Sequence, residues 1–280
     1  MPLLRSLAIA THPLPTVAVT SFTAVMARSA GMRGRRTALL SAAVLSGQLV
    51  IGWSNDYLDR DRDARAGRTD KPIPRGDIAA RTVGGAAVVA GFACIPLSLA
   101  LGRRPAAAHL TVVGCGLTYN AWAKFTLLSP LPYACAFSLL PPWVVALSLP
   151  GSPPPRRAIW LATGLLGVSA HFANTPDDEV FDGATGVRGL PQRLGPRRSI
   201  LVSALLLCAA SPLLLPSTAT AWRSARLVAG LLCAGGATTA ALSARTVLRG
   251  ERTRTAFQRN LLASGLLLGA SVVGGDALTD

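Results

Sequence analysis

The chain has 280 residues, with 28 Lys and Arg against 13 Asp and Glu, and a net charge of +15. Half of its residues are hydrophobic and only 15% are charged, well below the roughly 25% of an ordinary soluble domain. That excludes a disordered chain. It also argues against a nucleic-acid binder, because the basic residues lie between long apolar runs and only 5% of residues are aromatic.

An integral membrane protein remains. A spanning helix needs about 20 mostly apolar residues. Such runs fall at about 13–30, 37–55, 82–101, 106–123, 130–150, 157–174, 198–216, 224–244 and 258–276. The reading is therefore an all-α, polytopic helical bundle of about nine spans around a central cavity, one domain over 1–280. The first run is the shortest, and it holds Pro13 and Pro15. Cys94, Cys115, Cys135, Cys208 and Cys233 are widely spaced in apolar runs, so they read as packing residues. With nine spans, the larger share of Lys and Arg falls on the side of the N-terminus and the loops after spans 2, 4, 6 and 8. The positive-inside rule places that side in the cytoplasm. Gly151–Pro155 reads as a turn between spans 5 and 6.

The acids are concentrated in two places. Asp56, Asp59, Asp61, Asp63, Asp70 and Asp77 lie at or after the end of span 2. Asp177, Asp178, Glu179 and Asp182 lie at or after the end of span 6, on the same expected side. Asn55, Asp59 and Asp63 are spaced i, i+4, i+8 and form one helical stripe. Asn174, Asp178 and Asp182 repeat that spacing, although Pro176 reads as a break or restart of the helix between them. One acidic run at a helix end is ordinarily a solvated cap. Two runs of identical spacing on one side are not, and acids beside a bilayer point to function.

Facing carboxylates repel unless cations sit between them. Their hard oxygens suit Mg²⁺, which commonly bridges to substrate phosphates. Arg60, Arg62, Arg68, Lys71 and Lys124 stand close by, and Lys71 and Lys124 are the only lysines in the chain. Cations and a divalent metal at the mouth of an apolar bundle make a receptacle for a diphosphate on a greasy tail, such as a prenyl diphosphate. Asp56 points about 100° away from Asn55 and reads as a contact to a basic residue. Asp61 reads as facing solvent or Arg65. His171 reads as a packing histidine, His12 and His109 as incidental, and Trp53 as an interfacial anchor.

In these residues the chain resembles the UbiA superfamily of intramembrane prenyltransferases. The resemblance rests first on Asn55-Asp56-Tyr57-Leu58-Asp59-Arg60-Asp61-Arg62-Asp63 and on the basic continuation Arg68 to Gly76. It rests next on Asp178 to Asp182, and on Gly186-Val187-Arg188-Gly189-Leu190-Pro191-Gln192-Arg193-Leu194-Gly195. A third element, in span 4, is Tyr119-Asn120-Ala121-Trp122-Ala123-Lys124. There are two departures. Many members carry Tyr-x-x-x-Lys-Arg in span 4, whereas here the fourth residue after Tyr119 is Ala123 and only Lys124 remains. The family's threonine before Leu-Pro is Gly189.

The resemblance implies Mg²⁺ held through Asp59, Asp63, Asp178 and Asp182 at the cytoplasmic end of the cavity. It implies that Asn55 orients the diphosphate or a metal-bound water, and that Arg68, Lys71 and Lys124 neutralise phosphate oxygens. Tyr119 is expected near the allylic carbon. The expected reaction is transfer of an isoprenyl group to a lipophilic, aromatic or quinone-like acceptor, in the cell membrane and among membrane lipid. Cyclisation of the prenyl diphosphate without an acceptor is the alternative. Cation transport is more remote, because a transport site belongs near the midplane with few phosphate-type basic residues.

Overall fold

The computed structural model describes residues 3–149, 151, 156–215, 223–251 and 253–273; the side chains of 141–143, 175–185, 223 and 253 lie outside the description. Among the described residues every regular element is helical. A short α1 (Leu3–Ala10) precedes α2 (Pro13–Ser29), α3 (Gly34–Arg65), α4 (Ala80–Leu101) and α5 (Arg103–Ala121). Then come α6 (Pro130–Ser138), a π-helical stretch (Leu139–Val144) and α7 (Val145–Leu147), which together occupy the expected fifth span. The successive Pro141 and Pro142 withhold two N–H donors, which accounts for the wider π turn between them. The chain ends with α8 (Arg157–Thr185), a short α9 (Leu190–Leu194), α10 (Pro196–Leu213), α11 (Arg223–Leu248) and α12 (Thr253–Val273).

The described part of each expected run falls largely on these helices, while positions 150, 216 and 274–276 lie outside the described residues, and there are differences that matter. α3 extends ten residues past the expected end at 55, so the first acidic motif lies on its last turns. α8 runs through Pro176 to Thr185, so the expected break is absent and Asn174, Asp178 and Asp182 lie on one uninterrupted helix. Most of the Gly151–Pro155 turn lies outside the described residues. Four described helical segments are long and apolar enough to cross a membrane: Gly34–Arg65, Ala80–Leu101, Ser224–Leu248 and Arg254–Val273. Exposed Val88, Val89, Phe92, Leu227, Leu231 and Leu261 on them form the apolar exterior that a bilayer requires.

Chain neighbours pack side by side: α2 on α3, α3 on α4 and α5, α5 on α6, α6 on α8, α8 on α10, and α10 on α11 and α12. α12 returns to α2 and closes the bundle. One continuous core joins Met26, Leu40, Val44, Val112, Val144, Leu166, Leu207 and Leu267. On α3 this core lies around Leu40–Val44, while the acids follow from Asp56. At 1.5 Å per residue, Val44 and Asp59 are separated by roughly 22 Å. The largest core cluster thus lies away from the acidic end of α3.

Candidate active site at the acidic end of the bundle

α3 stops in a Schellman motif. The Gly67 N–H bonds the Ala64 carbonyl at 3.1 Å, and the Arg68 N–H bonds the Asp63 carbonyl at 3.1 Å. Gly67 takes φ +65°, the left-handed geometry this stop requires. The chain is turned back over the helix it has just left. A second stop of the same kind follows: Gly76 (φ +77°) bonds Ile73 at 3.0 Å, and Asp77 bonds Pro72 at 3.0 Å. The basic segment Arg68–Gly76 is therefore a defined turn lying against α3.

That turn delivers Lys71 to the acids. Its Nζ lies 2.8 Å from Asp63 Oδ2 and 3.0 Å from Asp56 Oδ1. Lys124 approaches from α5 and donates to both oxygens of Asp59, at 2.5 and 2.7 Å. Arg62 adds a contact of 2.5 Å to Asp59 Oδ1. Asp56, Asp59, Asp63, Lys71 and Lys124 are all buried. Asn55 donates to Asp59 Oδ2 at 3.1 Å and to Asn120 Oδ1 at 3.2 Å. Asn120 is tied in turn to the Ile51 carbonyl at 2.8 Å, which fixes the start of the stripe.

Burial opposes the charge on both lysines. At Lys71 the carboxylates of Asp56 and Asp63 outweigh burial and hold its pKa above the ordinary lysine value. At Lys124 burial prevails over Asp59, with Arg62 and Lys71 adding to it, and the pKa lies below that value. Arg68 forms a bidentate pair with Asp70 at 2.8 and 2.7 Å, and this hydrogen bonding holds the Asp70 carboxyl down at about 2. Asp56 contacts a basic residue as expected. Asp61 is exposed and pairs with Arg60 at 3.3 Å, while Arg65 bonds only its backbone carbonyl.

A cluster of rings occupies the facing side. Tyr133 meets Tyr119 edge-on with centroids 5.0 Å apart, and Tyr133 stacks on His171 at 4.6 Å. His171 Nε2 pairs with Ser129 Oγ at 3.0 Å. His171 is a satisfied, buried histidine, as read from the sequence, but it also stands 5.5 Å from Tyr119. Tyr133 gave no signal in the sequence, where it is one aromatic in an apolar run. Asn174 is exposed, and the side chains of Asp178 and Asp182 lie outside the description. Among the described residues no three His, Cys, Asp or Glu side chains come together in a ready-made metal cage.

One of the sequence expectations fails here. His12 is not incidental: its Nε2 lies 3.0 Å from Asp56 Oδ1. His109 is buried and bonded to Ser98 at 2.8 Å. Trp53 donates its indole N–H to the Leu7 carbonyl of α1 at 3.0 Å. All three partners come from another helix or turn, so periodicity along one helix carries no trace of them.

The sequence pattern of the UbiA prenyltransferase family matches residues 13–264. The chain belongs to that family. A solved UbiA homologue from Archaeoglobus fulgidus bound to GPP and Mg²⁺ is similar in fold: its TM-score is 0.71 at 17% identity, over 96% of this chain and 99% of that one. The apo structure of a UbiA homologue from Aeropyrum pernix K1 gives 0.67 at 20% identity, over 92% and 96%. A structure of digeranylgeranylglyceryl phosphate synthase gives 0.67 at 15% identity, over 99% and 100%. No curated protein sequence matches the chain.

The two departures from the UbiA pattern have local causes. The lysine of span 4 stands one residue late, and α5 ends at Ala121 before it. Trp122 leaves helical geometry (φ −146°, ψ −51°), and a 3₁₀ turn over Ala123–Phe125 swings Lys124 onto Asp59. At Gly189 there is no room for the family's threonine. A Cβ there would lie 2.7 Å from Gln192 Oε1 and 2.8 Å from Ser129 Oγ. Ser129, which is fully buried, instead accepts the Leu190 N–H at 2.9 Å while it holds His171. Ser129→Ala removes one hydrogen-bond partner from each group. It is expected to destabilise the protein by about 1–3 kcal/mol in detergent, read as a lowered thermal midpoint. An unchanged midpoint would mean that water replaces the hydroxyl there.

Proposed function

We propose that this chain is a Mg²⁺-dependent, multi-pass intramembrane prenyltransferase with its site opening to the cytoplasm. It transfers an isoprenyl group from a prenyl diphosphate to a lipophilic acceptor, aromatic or quinone-like in character. One observation carries the reading. Buried Asp59 and Asp63 are each engaged by a different lysine, at the end of an apolar helical bundle.

The donor set suits Mg²⁺, since carboxylates are hard oxygen ligands. The local charge balance points the same way. The three carboxylates of Asp56, Asp59 and Asp63 meet the three cations of Lys71, Lys124 and Arg62. A diphosphate added to this balanced cluster must bring counter-charge, and divalent cations supply it. Asp59 and Asp63 would hold the ion, together with Asp178 and Asp182 of α8. When bound, Mg²⁺ supplies Lewis-acid withdrawal of charge from the departing diphosphate.

The remaining work belongs to the chain. Lys71, Lys124 and Arg68 bind phosphate oxygens. Asn55, held by Asn120, orients the diphosphate end. The allylic C–O bond breaks with its electron pair leaving on the diphosphate. Tyr119, flanked by Tyr133 and His171, offers π density to the cation formed. The apolar walls exclude water that would quench it, an electron pair from the acceptor closes the new bond, and the acceptor's displaced proton passes to the departed diphosphate.

The test is a product assay on purified protein with prenyl diphosphates of several chain lengths, with and without a membrane lipid extract. EDTA is expected to remove turnover, and pyrophosphate release is expected to require the extract, whose labelled adduct identifies the acceptor. Hydrocarbons or prenyl alcohols formed from the diphosphate alone would assign cyclisation instead. Absence of Mg²⁺-dependent turnover at every chain length would refute diphosphate chemistry and favour cation transport.

A further inference from the structure

The N-terminal segment packs directly onto the acidic end of α3. Ala10 is fully buried against Ile78 and Val83, with Leu7, Trp53 and Ile73 around them. Ile73 and Ile78 belong to the stretch that carries Lys71. Trp53 donates to the Leu7 carbonyl, and Gly52 sits against the Thr11 backbone so closely that a Cβ would lie 2.5 Å from its carbonyl oxygen. Thr16 Oγ1 bonds that same carbonyl at 2.7 Å. This packing seats the junction of α1 and α2 at one position on α3.

At that junction stands His12. Among the described residues it is the one non-glycine with positive φ, at φ 54°, ψ 71°. A side chain in this region is held at a cost, so an outlier invites a question about what holds it. Here Nε2 reaches Asp56 Oδ1 at 3.0 Å, and that oxygen also receives Lys71 at 3.0 Å. Lys71 then extends to Asp63 at 2.8 Å. The contacts form a line: His12, Asp56, Lys71, Asp63.

We propose that His12 is a positioning residue of the diphosphate site, acting through Asp56 to hold the Lys71 ammonium against Asp63. With its N–H directed at Asp56, that carboxylate cannot rotate away, and Lys71 keeps two fixed anchors. The consequence for diphosphate binding rests on the function proposed above. The ordering of Lys71 does not.

Three forms separate the hydrogen bond from the backbone. His12→Gly removes the donor and relieves the left-handed geometry. His12→Gln keeps an N–H donor at a reach close to that of Nε2 while keeping a side chain in the left-handed region. Were the backbone alone responsible for any effect, Gly would behave better than Gln. Were the hydrogen bond responsible, the order would be reversed.

Because Lys71 and Lys124 are the only lysines, an acylating amine reagent applied to the protein in detergent, followed by peptide mass spectrometry, reads each one separately. In His12→Gly, labelling of Lys71 is expected to rise about tenfold with Lys124 unchanged, and His12→Gln is expected to restore most of the protection. Equal Lys71 rates in wild type and His12→Gly overturn the proposal. So does a parallel rise at both lysines, which reports general loosening, or a Gln variant no better than Gly. Calorimetry with Mg²⁺ and inorganic pyrophosphate then tests the consequence, with His12→Gly expected to bind about tenfold more weakly. Selective exposure of Lys71 with unchanged pyrophosphate affinity would overturn its role toward the diphosphate. If the wild type fails to bind pyrophosphate, the function proposed above is refuted, while the lysine rates still decide what His12 does.

Discussion

Asp59→Asn is expected to lower prenyl-diphosphate turnover by at least about 10²-fold, the scale of losing one charge-stabilising group in an active site. Asp59 stands at the centre of the described half of the site. Its two oxygens take both contacts from Lys124, one from Arg62 and one from Asn55. Asparagine preserves the volume and one acceptor oxygen but removes the charge that a divalent cation needs. It also leaves the buried Lys124 without its carboxylate. Breaking a buried pair at one partner costs about 3–5 kcal/mol in the worst case. The retained amide oxygen softens that loss, so the variant is expected to stay folded with a reduced thermal midpoint. The corresponding change in α8, Asp178→Asn, is expected to remove turnover on the same scale. Initial rates with saturating Mg²⁺, beside a thermal midpoint for each variant, decide the matter. Normal rates in either variant would retire that residue as a metal ligand.

Gly167→Leu is expected to be the most destabilising single change at the α6–α8 contact. A Cβ at Gly167 would lie 2.5 Å from Phe137 Cβ and 2.7 Å from the Tyr133 carbonyl oxygen. Neither atom is the far end of a flexible side chain, so relief requires the helices to separate. Gly164, one turn away, sits equally tightly against Ser138 Oγ. Without a hydrophobic force between helices in lipid, close approach through small residues is what holds such a pair together. Overpacking costs about 1–3 kcal/mol where side chains can give, and more where the backbone must move. The same displacement would carry Tyr133 away from Tyr119 and His171. Turnover and thermal midpoint are therefore expected to fall together in Gly167→Leu, with a smaller fall in Gly167→Ala. A midpoint equal to wild type in the leucine variant would mean that this contact is looser than its geometry implies.

The helical class and the acidic stripe were legible in the sequence because both are local. Long apolar runs broken by charge can satisfy their backbones in lipid only as helices or closed barrels. The spacing of Asn55, Asp59 and Asp63 fixes their common face through the 3.6-residue turn alone. The break expected at Pro176 does not occur, although an interior proline removes one helical hydrogen bond. α8 instead packs along α6 and α10 and continues through.

What the amino-acid order determined by itself was a helical membrane protein of the UbiA kind, with two acidic motifs and two lysines near them. Which lysine serves which acid was decided by the tertiary structure. Lys71 returns to Asp63 because a Schellman stop folds the chain back over α3, and Lys124 reaches Asp59 because α5 ends at Ala121 and a 3₁₀ turn follows. His12, Tyr133 and Ser129 became visible only in the fold, since each meets its partner across a helix contact that no periodicity encodes. Local geometry follows from spacing along one helix, but a charge's partner depends on which helices lie side by side.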